Sequence, residues 1–189
     1  MGVGTLIIFI AMLLVAAVAA GVLLQTAGSL QQQALVTGQA SRSEISTNAR
    51  VVEVSAVDGS QAGGVENFTM QMKLSPGSDP IKLDEVTITF NTDNTSTTLI
   101  YSGNDTFETT QAGNEGSGTF GVDYLINGSN NMNGNLVRGD VIRVDFQSPR
   151  AIGESESIRI NFIPKIGTAT LVQFNTPDVM STQRVYLYP

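Results

Sequence analysis

Hydrophobic and polar positions follow three regimes along this chain. From Val3 to Leu24 the residues are almost all apolar, interrupted only by Gly4, Thr5 and Gly21, and no charged side chain occurs before Arg42. As an α-helix this stretch extends roughly 33 Å, about one bilayer core. Past Leu24 the pattern turns amphipathic: Leu23, Ala27, Leu30, Ala34, Thr37 and Ser41 recur at spacings of four and three, with Gln25, Gln31, Gln32, Gln33 and Gln39 between them. The pattern predicts one helix running through both regions and ending near Ser46 or Thr47. Pro is absent from it, and only Gly28 and Gly38 weaken its second half.

From Arg50 onward the period is two. Phe68, Met70, Met72 and Leu74 alternate with Thr69, Gln71 and Lys73; Val86, Ile88 and Phe90 alternate with Thr87 and Thr89. Ile142, Val144 and Phe146 alternate with Arg143 and Asp145, and Ile158, Ile160 and Phe162 with Arg159 and Asn161. Each predicts a strand with one buried and one wet face. Weaker strands are predicted at Val51–Val57, Thr97–Tyr101, Gly118–Ile126, Thr170–Phe174 and Arg184–Tyr188. Turn chemistry separates them at Asp58-Gly59, Ser75-Pro76-Gly77, Asn127-Gly128, Gly139-Asp140 and Gly167. Asn127–Asn135 and Gly113–Gly118 read as exposed polar loops. The expected fold class is α+β: a long N-terminal hydrophobic α-helix, residues 1–48, followed by an antiparallel β-sandwich of about seven to nine strands, residues 49–189. An immunoglobulin-like sandwich is expected, with an antiparallel barrel as the alternative.

Composition narrows the chemistry. The net charge of −7 and the lack of any Lys/Arg cluster argue against a nucleic-acid partner. Cys, His and Trp are absent, which removes disulfides, thiolate or imidazole metal sites and any nucleophile that depends on Cys or His. Asp84-Glu85 and the Glu154/Glu156 pair are the carboxylates best placed for acid–base work, yet both read as solvated, and no partner that would shift them is evident. Asn91, Asp93 and Asp123 could offer oxygen ligands, but at no recognisable cation-site spacing. No catalytic residue, metal site or cofactor is expected.

A 45-residue helix cannot bury itself against a body of about 140 residues, so it needs partners, and copies of itself are the obvious ones. Gly2, Gly4, Ala17, Ala20 and Gly21 would let helix backbones approach closely, with Leu6, Phe9, Leu13, Val15 and Leu24 filling the gaps between them. A single membrane anchor and a signal peptide cleaved after Ala17-Val18-Ala19 are the rivals, the latter weakened by the missing basic start.

The stretch GVGTLIIFIAMLLVAAVAAGVLLQTAGSLQQQA resembles the N-terminal signature of mature archaellins, the archaeal flagellins, which are built on the type IV pilin plan. Bacterial type IV pilins usually carry Glu at the fifth mature position where this chain has Thr5, a departure that favours archaellin. The resemblance implies a leader already removed, insertion in the membrane before assembly, and a homopolymeric extracellular filament used for swimming. An adhesive archaeal pilin and a membrane-anchored surface-binding module remain alternatives. Four N-x-[ST] sequons occur, at Asn67, Asn94, Asn104 and Asn127. That number is not far above chance for a chain rich in Asn, Ser and Thr, but all four fall between Asn67 and Ser129. Asn67 is expected on a polar strand face, and the resemblance implies N-linked glycans.

Overall fold

The computed structural model describes residues 2–59, 64–103 and 118–189. The chain divides into two compact units, Met1–Arg42 and Ser43–Pro189. The first lies within a continuous helix, α1, spanning Gly2–Ser46. The hydroxyls of Thr5 and Thr26 do not break it, because each returns its proton to the preceding turn: Thr5 Oγ1 donates to the Gly2 carbonyl at 2.9 Å and Thr26 Oγ1 to the Val22 and Leu23 carbonyls at 3.0 Å.

The second unit is built on β-strands. In chain order they are β1 (Ala49–Ala56), β2 (Val65–Leu74), β3 (Ile81–Lys82), β4 (Val86–Thr92), β5 (Ser96–Tyr101), β6 (Thr119–Ile126), β7 (Asn135–Leu136), β8 (Val141–Ile152), β9 (Ser157–Pro164), β10 (Thr170–Asn175) and β11 (Val185–Tyr188). Nine of them form one hydrogen-bonded sheet in the order β10-β9-β4-β5-β6-β8-β2-β1-β11, while β3 and β7 make a separate two-stranded ribbon. All pairings are antiparallel except β5 with β6, where Ile100 lies against Thr119 and Tyr101 against Phe120.

The sheet folds over on itself. Phe90 of β4 and Phe68 of β2 are four places apart in strand order, yet their rings meet at 5.3 Å, and Phe146 of β8 completes the group at 5.5 Å from Phe90 and 5.8 Å from Phe68. Edge-on and offset ring contacts of this kind add to the burial of the rings themselves. Around them pack the inward-facing positions of every long strand, including Met70, Met72, Ile88, Val144, Ile160 and Phe162, all essentially solvent-free. The far edge of the sheet also returns to its start, since Thr170 Oγ1 of β10 donates to the Ala49 carbonyl of β1 at 2.6 Å.

Several local expectations need correction. The described residues hold more strands than expected, because the two-residue β3 and β7 are too short to carry a periodic signal. The polar face of β2 is not uniformly wet: Thr69 is buried and donates to the buried Asp145 of β8 at 2.6 Å. Asp84 and Glu85 lie in a 3-10 turn, Leu83–Glu85, and not in a strand. Glu156 is not simply solvated, as it receives both terminal guanidinium nitrogens of Arg150. The turn-rich stretch beginning at Gly113 and the sequon at Asn104 lie outside the described residues.

Candidate assembly surface

No residue of α1 is buried. Leu6, Phe9, Leu13, Val15 and Leu24 each leave more than half of their surface open, and so do Ile7, Ile8, Ile10, Leu14, Val18 and Leu23 between them. Exposed apolar residues at consecutive positions point in every direction around a helix, so no single stripe is available to face one core. About a dozen such side chains, at roughly 1.5–3 kcal/mol each on full burial, put on the order of 20 kcal/mol behind removing this segment from water. The helix is long and apolar enough to cross a membrane. Ala17 and Ala20 are exposed as well. A side chain added at Gly2, Gly4 or Gly21 would meet none of the described residues within 4 Å. These glycines therefore serve no contact among the described residues.

At the end of the helix the backbone is captured by the β-domain. Thr47 N–H closes the last turn onto the Ser43 carbonyl at 3.0 Å, and the Thr47 carbonyl then accepts from Thr168 N–H at 2.9 Å. Ser78 Oγ accepts from Asn48 N–H at 3.0 Å and lies 3.1 Å from the Ser46 and Asn48 carbonyls, to one of which it donates. Gly167, at φ +121°, packs against this point, where a Cβ would fall 2.6 Å from the Thr47 oxygen. The groups that would otherwise continue the helix are thus already satisfied by β-domain partners.

The predicted sequons differ in accessibility. Asn94 is exposed in the β4–β5 hairpin, and Asn127 is exposed after β6, its Oδ1 accepting from Asn131 at 2.6 Å. Asn67 is half-buried, and its Nδ2, the atom a glycan would occupy, donates to Asp58 at 3.1 Å. The Thr69 hydroxyl of the same sequon is held by Asp145. The expectation that the Asn67 side chain points freely away from the core is corrected accordingly.

The carboxylates serve the fold. Asp58 accepts from the backbone N–H groups of Glu66 and Asn67, at 2.8 and 3.0 Å, and Asp140 holds Gly128 N–H at 2.6 Å and Val137 N–H at 3.1 Å. Both were visible in the sequence as turn residues beside glycine, though not as clamps. Arg143 bridges Asp123 at 2.8 Å and Asp145 at 3.0 Å. Burial pushes the Asp145 carboxyl above the usual carboxylate range, against the opposing pull of Thr69 and Arg143. The Arg150 hydrogen bonds hold Glu156 below it, and the Lys165 ammonium does the same for exposed Glu85. Asn91, Asp93 and Asp123 do not converge: Asn91 accepts from Ser96, Asp93 from Ser157 N–H, and Asp123 is taken by Arg143. Among the described residues no cluster of three or more acidic side chains could hold a metal.

Comparison with known proteins places this arrangement. Residues 1–174 match the archaeal-type flagellin family. Flagellin B1 of Thermoplasma volcanium is 38% identical over 135 residues, which cover 69% of this chain and 53% of that protein, so the match spans about half the relative's length. Flagellin B1 of Methanocaldococcus jannaschii is 31% identical over 94% of this chain and 89% of its own. Among solved structures, the archaeal flagellum of Methanospirillum hungatei strain JF1 shares the fold with a TM-score of 0.73 at 18% identity, covering 99% of this chain and 98% of that one. Because the family match begins in the apolar helix and reaches into β10, it takes in both units, and the chain belongs to the archaeal-type flagellin family.

Proposed function

We propose that this chain is a structural subunit of an archaellum. Copies insert through α1 in the membrane and then assemble into an extracellular helical filament, with helices packed in its core and β-domains outside, to serve swimming. The observation that carries this reading is the apolar surface around the whole circumference of α1 from Val3 to Leu24, with glycines open to a neighbour and no partner among the described residues. Since bilayer and filament core both keep that surface from water, assembly is driven by close helix packing and by contacts between β-domains. In this reading the chain acts as a building element and not as an enzyme, and its acidic charge disfavours a nucleic-acid partner. N-linked glycans are placed first at Asn94 and Asn127, where the attachment nitrogen is open.

Negative-stain microscopy of purified material separates filaments from the detergent-dispersed particles that a membrane-anchored binding module would give. Gly21→Leu sharpens the test. It lengthens the apolar run and should leave membrane insertion intact, while overpacking a close helix contact by roughly 1–3 kcal/mol per subunit. Inserted chains with few filaments are expected. Normal filaments from Gly21→Leu would remove Gly21 from the helix contacts, and dispersed particles from the unaltered chain would overturn the filament reading.

A further inference from the structure

Two groups of exposed residues on the β-domain carry like charges, of opposite sign in the two groups. Arg50 and Lys73 lie directly opposite each other where β1 begins and β2 ends, both exposed and, among the described residues, without an acidic partner in an ion pair. Like charges in directly paired positions repel and lower the stability of the pair. A counter-charge brought by another molecule would relieve that repulsion. With Tyr188 they line an open groove at the surface.

At the other end of the same strands, Val65 of β2 pairs with Ile152 of β8, roughly 27 Å along the sheet from Lys73. The turn that follows presents Glu154, exposed, and Ser155, whose hydroxyl lies 2.5 Å from Asp178 Oδ1. Asp93 joins them through Ser157 N–H at 3.4 Å. Asp93, Glu154 and Asp178 are all exposed, and among the described residues none forms an ion pair, although Asp93 lies near enough to Arg150 for their charges to interact. Each end also carries an uncovered apolar side chain, Val179 beside Asp178 and Ile166 near the helix exit, as the core of an interface with a charged rim would have.

Building on the filament reading, we propose that the β-domain of one copy docks end to end on that of the next, the Asp93/Glu154/Asp178 tip of one meeting the Arg50/Lys73 base of the other. Two unlike patches at opposite ends make a heterologous contact, which propagates and does not close on itself. A contact between like ends would set like charges against each other. An anionic membrane is the rival partner for the base, and vesicle binding tells the two apart.

Charge swapping tests the contact in the full-length chain. A base variant, Arg50→Glu with Lys73→Glu, and a tip variant, Glu154→Lys with Asp178→Lys, should each reduce sedimentable filament about tenfold or more. The four-fold variant that carries both sets should recover filament to within about threefold of the unaltered chain. Unchanged polymer from both two-fold variants would overturn the proposal. So would failure of the four-fold variant to recover while the circular dichroism of all three variants stays native. Loss of binding to phosphatidylglycerol vesicles by the base variant, with normal filament yield, would assign the base to the membrane and also overturn it. An unaltered chain that forms no filament would instead strike the filament reading itself.

Discussion

Replacing Gly167 with alanine tests whether the helix exit is held as described. The residue sits at φ +121°, a conformation that costs an L-residue about 1–2 kcal/mol. Its new Cβ would fall 2.6 Å from the Thr47 carbonyl oxygen and 3.1 Å from the Thr47 Cβ, so one segment must move. Thr47 is buried, and the oxygen that is displaced accepts the 2.9 Å bond from Thr168 N–H. Losing that bond in a covered position adds roughly 1–2 kcal/mol, for a total of about 2–4 kcal/mol. At about 3 °C per kcal/mol for a domain of this size, the midpoint should fall by about 6–12 °C. Gly77 is the control. It too has a positive φ, +87°, but a Cβ there meets nothing within 4 Å, so Gly77→Ala should cost only the conformational part, about 1–2 kcal/mol. Thermal unfolding of the detergent-solubilised chain, followed by the near-ultraviolet circular dichroism of its tyrosines, measures both. A loss from Gly167→Ala no larger than that from Gly77→Ala would refute the account of the junction.

Phe68→Ala removes the ring that touches both Phe90 and Phe146 and should cost about 3–5 kcal/mol in urea unfolding, whereas Tyr186→Ala, at a largely exposed position, should stay within about 0.5 kcal/mol. Glu156 and Asp145 should act in opposite senses with pH. Glu156, held low by Arg150, stabilises the fold above its unfolded pKa and loses that contribution as pH falls through its folded value. Asp145, raised by burial, favours the fold most at low pH and loses that contribution as pH climbs through its raised value. The stability of the unaltered chain relative to Asp145→Asn should therefore decline as pH rises from about 4, and an increase would show that the charged form is the favoured one. Peptide mapping of native material should find glycan on Asn94 or Asn127 at higher occupancy than on Asn67; full occupancy of Asn67 alone would contradict the ranking.

Much of the architecture was legible because it rests on periodicity. The apolar members of the four strong alternations, from Phe68–Leu74 through Ile158–Phe162, are all buried, and the helix ends at Ser46 where the pattern changes. Partner choice was not legible, since the pleat says which face is wet but not which strand lies beside which. The parallel β5–β6 pair is one result, and the return of β10 to β1 is another. Nor could alternation show that Thr69 and Asp145 would be buried together, because that contact depends on register across strands far apart in sequence, or that Glu156 would find Arg150, because that one depends on how the turn between them folds back. For the assembly surface the position was reversed. A helix apolar on every side and charge-free to residue 41 announces its need for partners in the sequence alone, whereas the charge difference between the two ends of the β-domain exists only once the strands are paired.

The placement of β1 between β2 and β11 sets an order of events for the newly made chain. β2 is available almost at once, but the strand that covers the other edge of β1, through Val54↔Tyr188 and Ala56↔Val185, comes last of all. Until it arrives, β1 keeps a row of unpaired backbone groups that any extended chain could join. A sheet whose first strand waits for its eleventh has high contact order and condenses late and slowly. Crowded nascent copies are therefore most prone to wrong strand exchange until β11 has been made. A helper that shields that edge, or a membrane that spaces the copies apart by their helices, would raise the yield of correctly folded chains without changing their final stability.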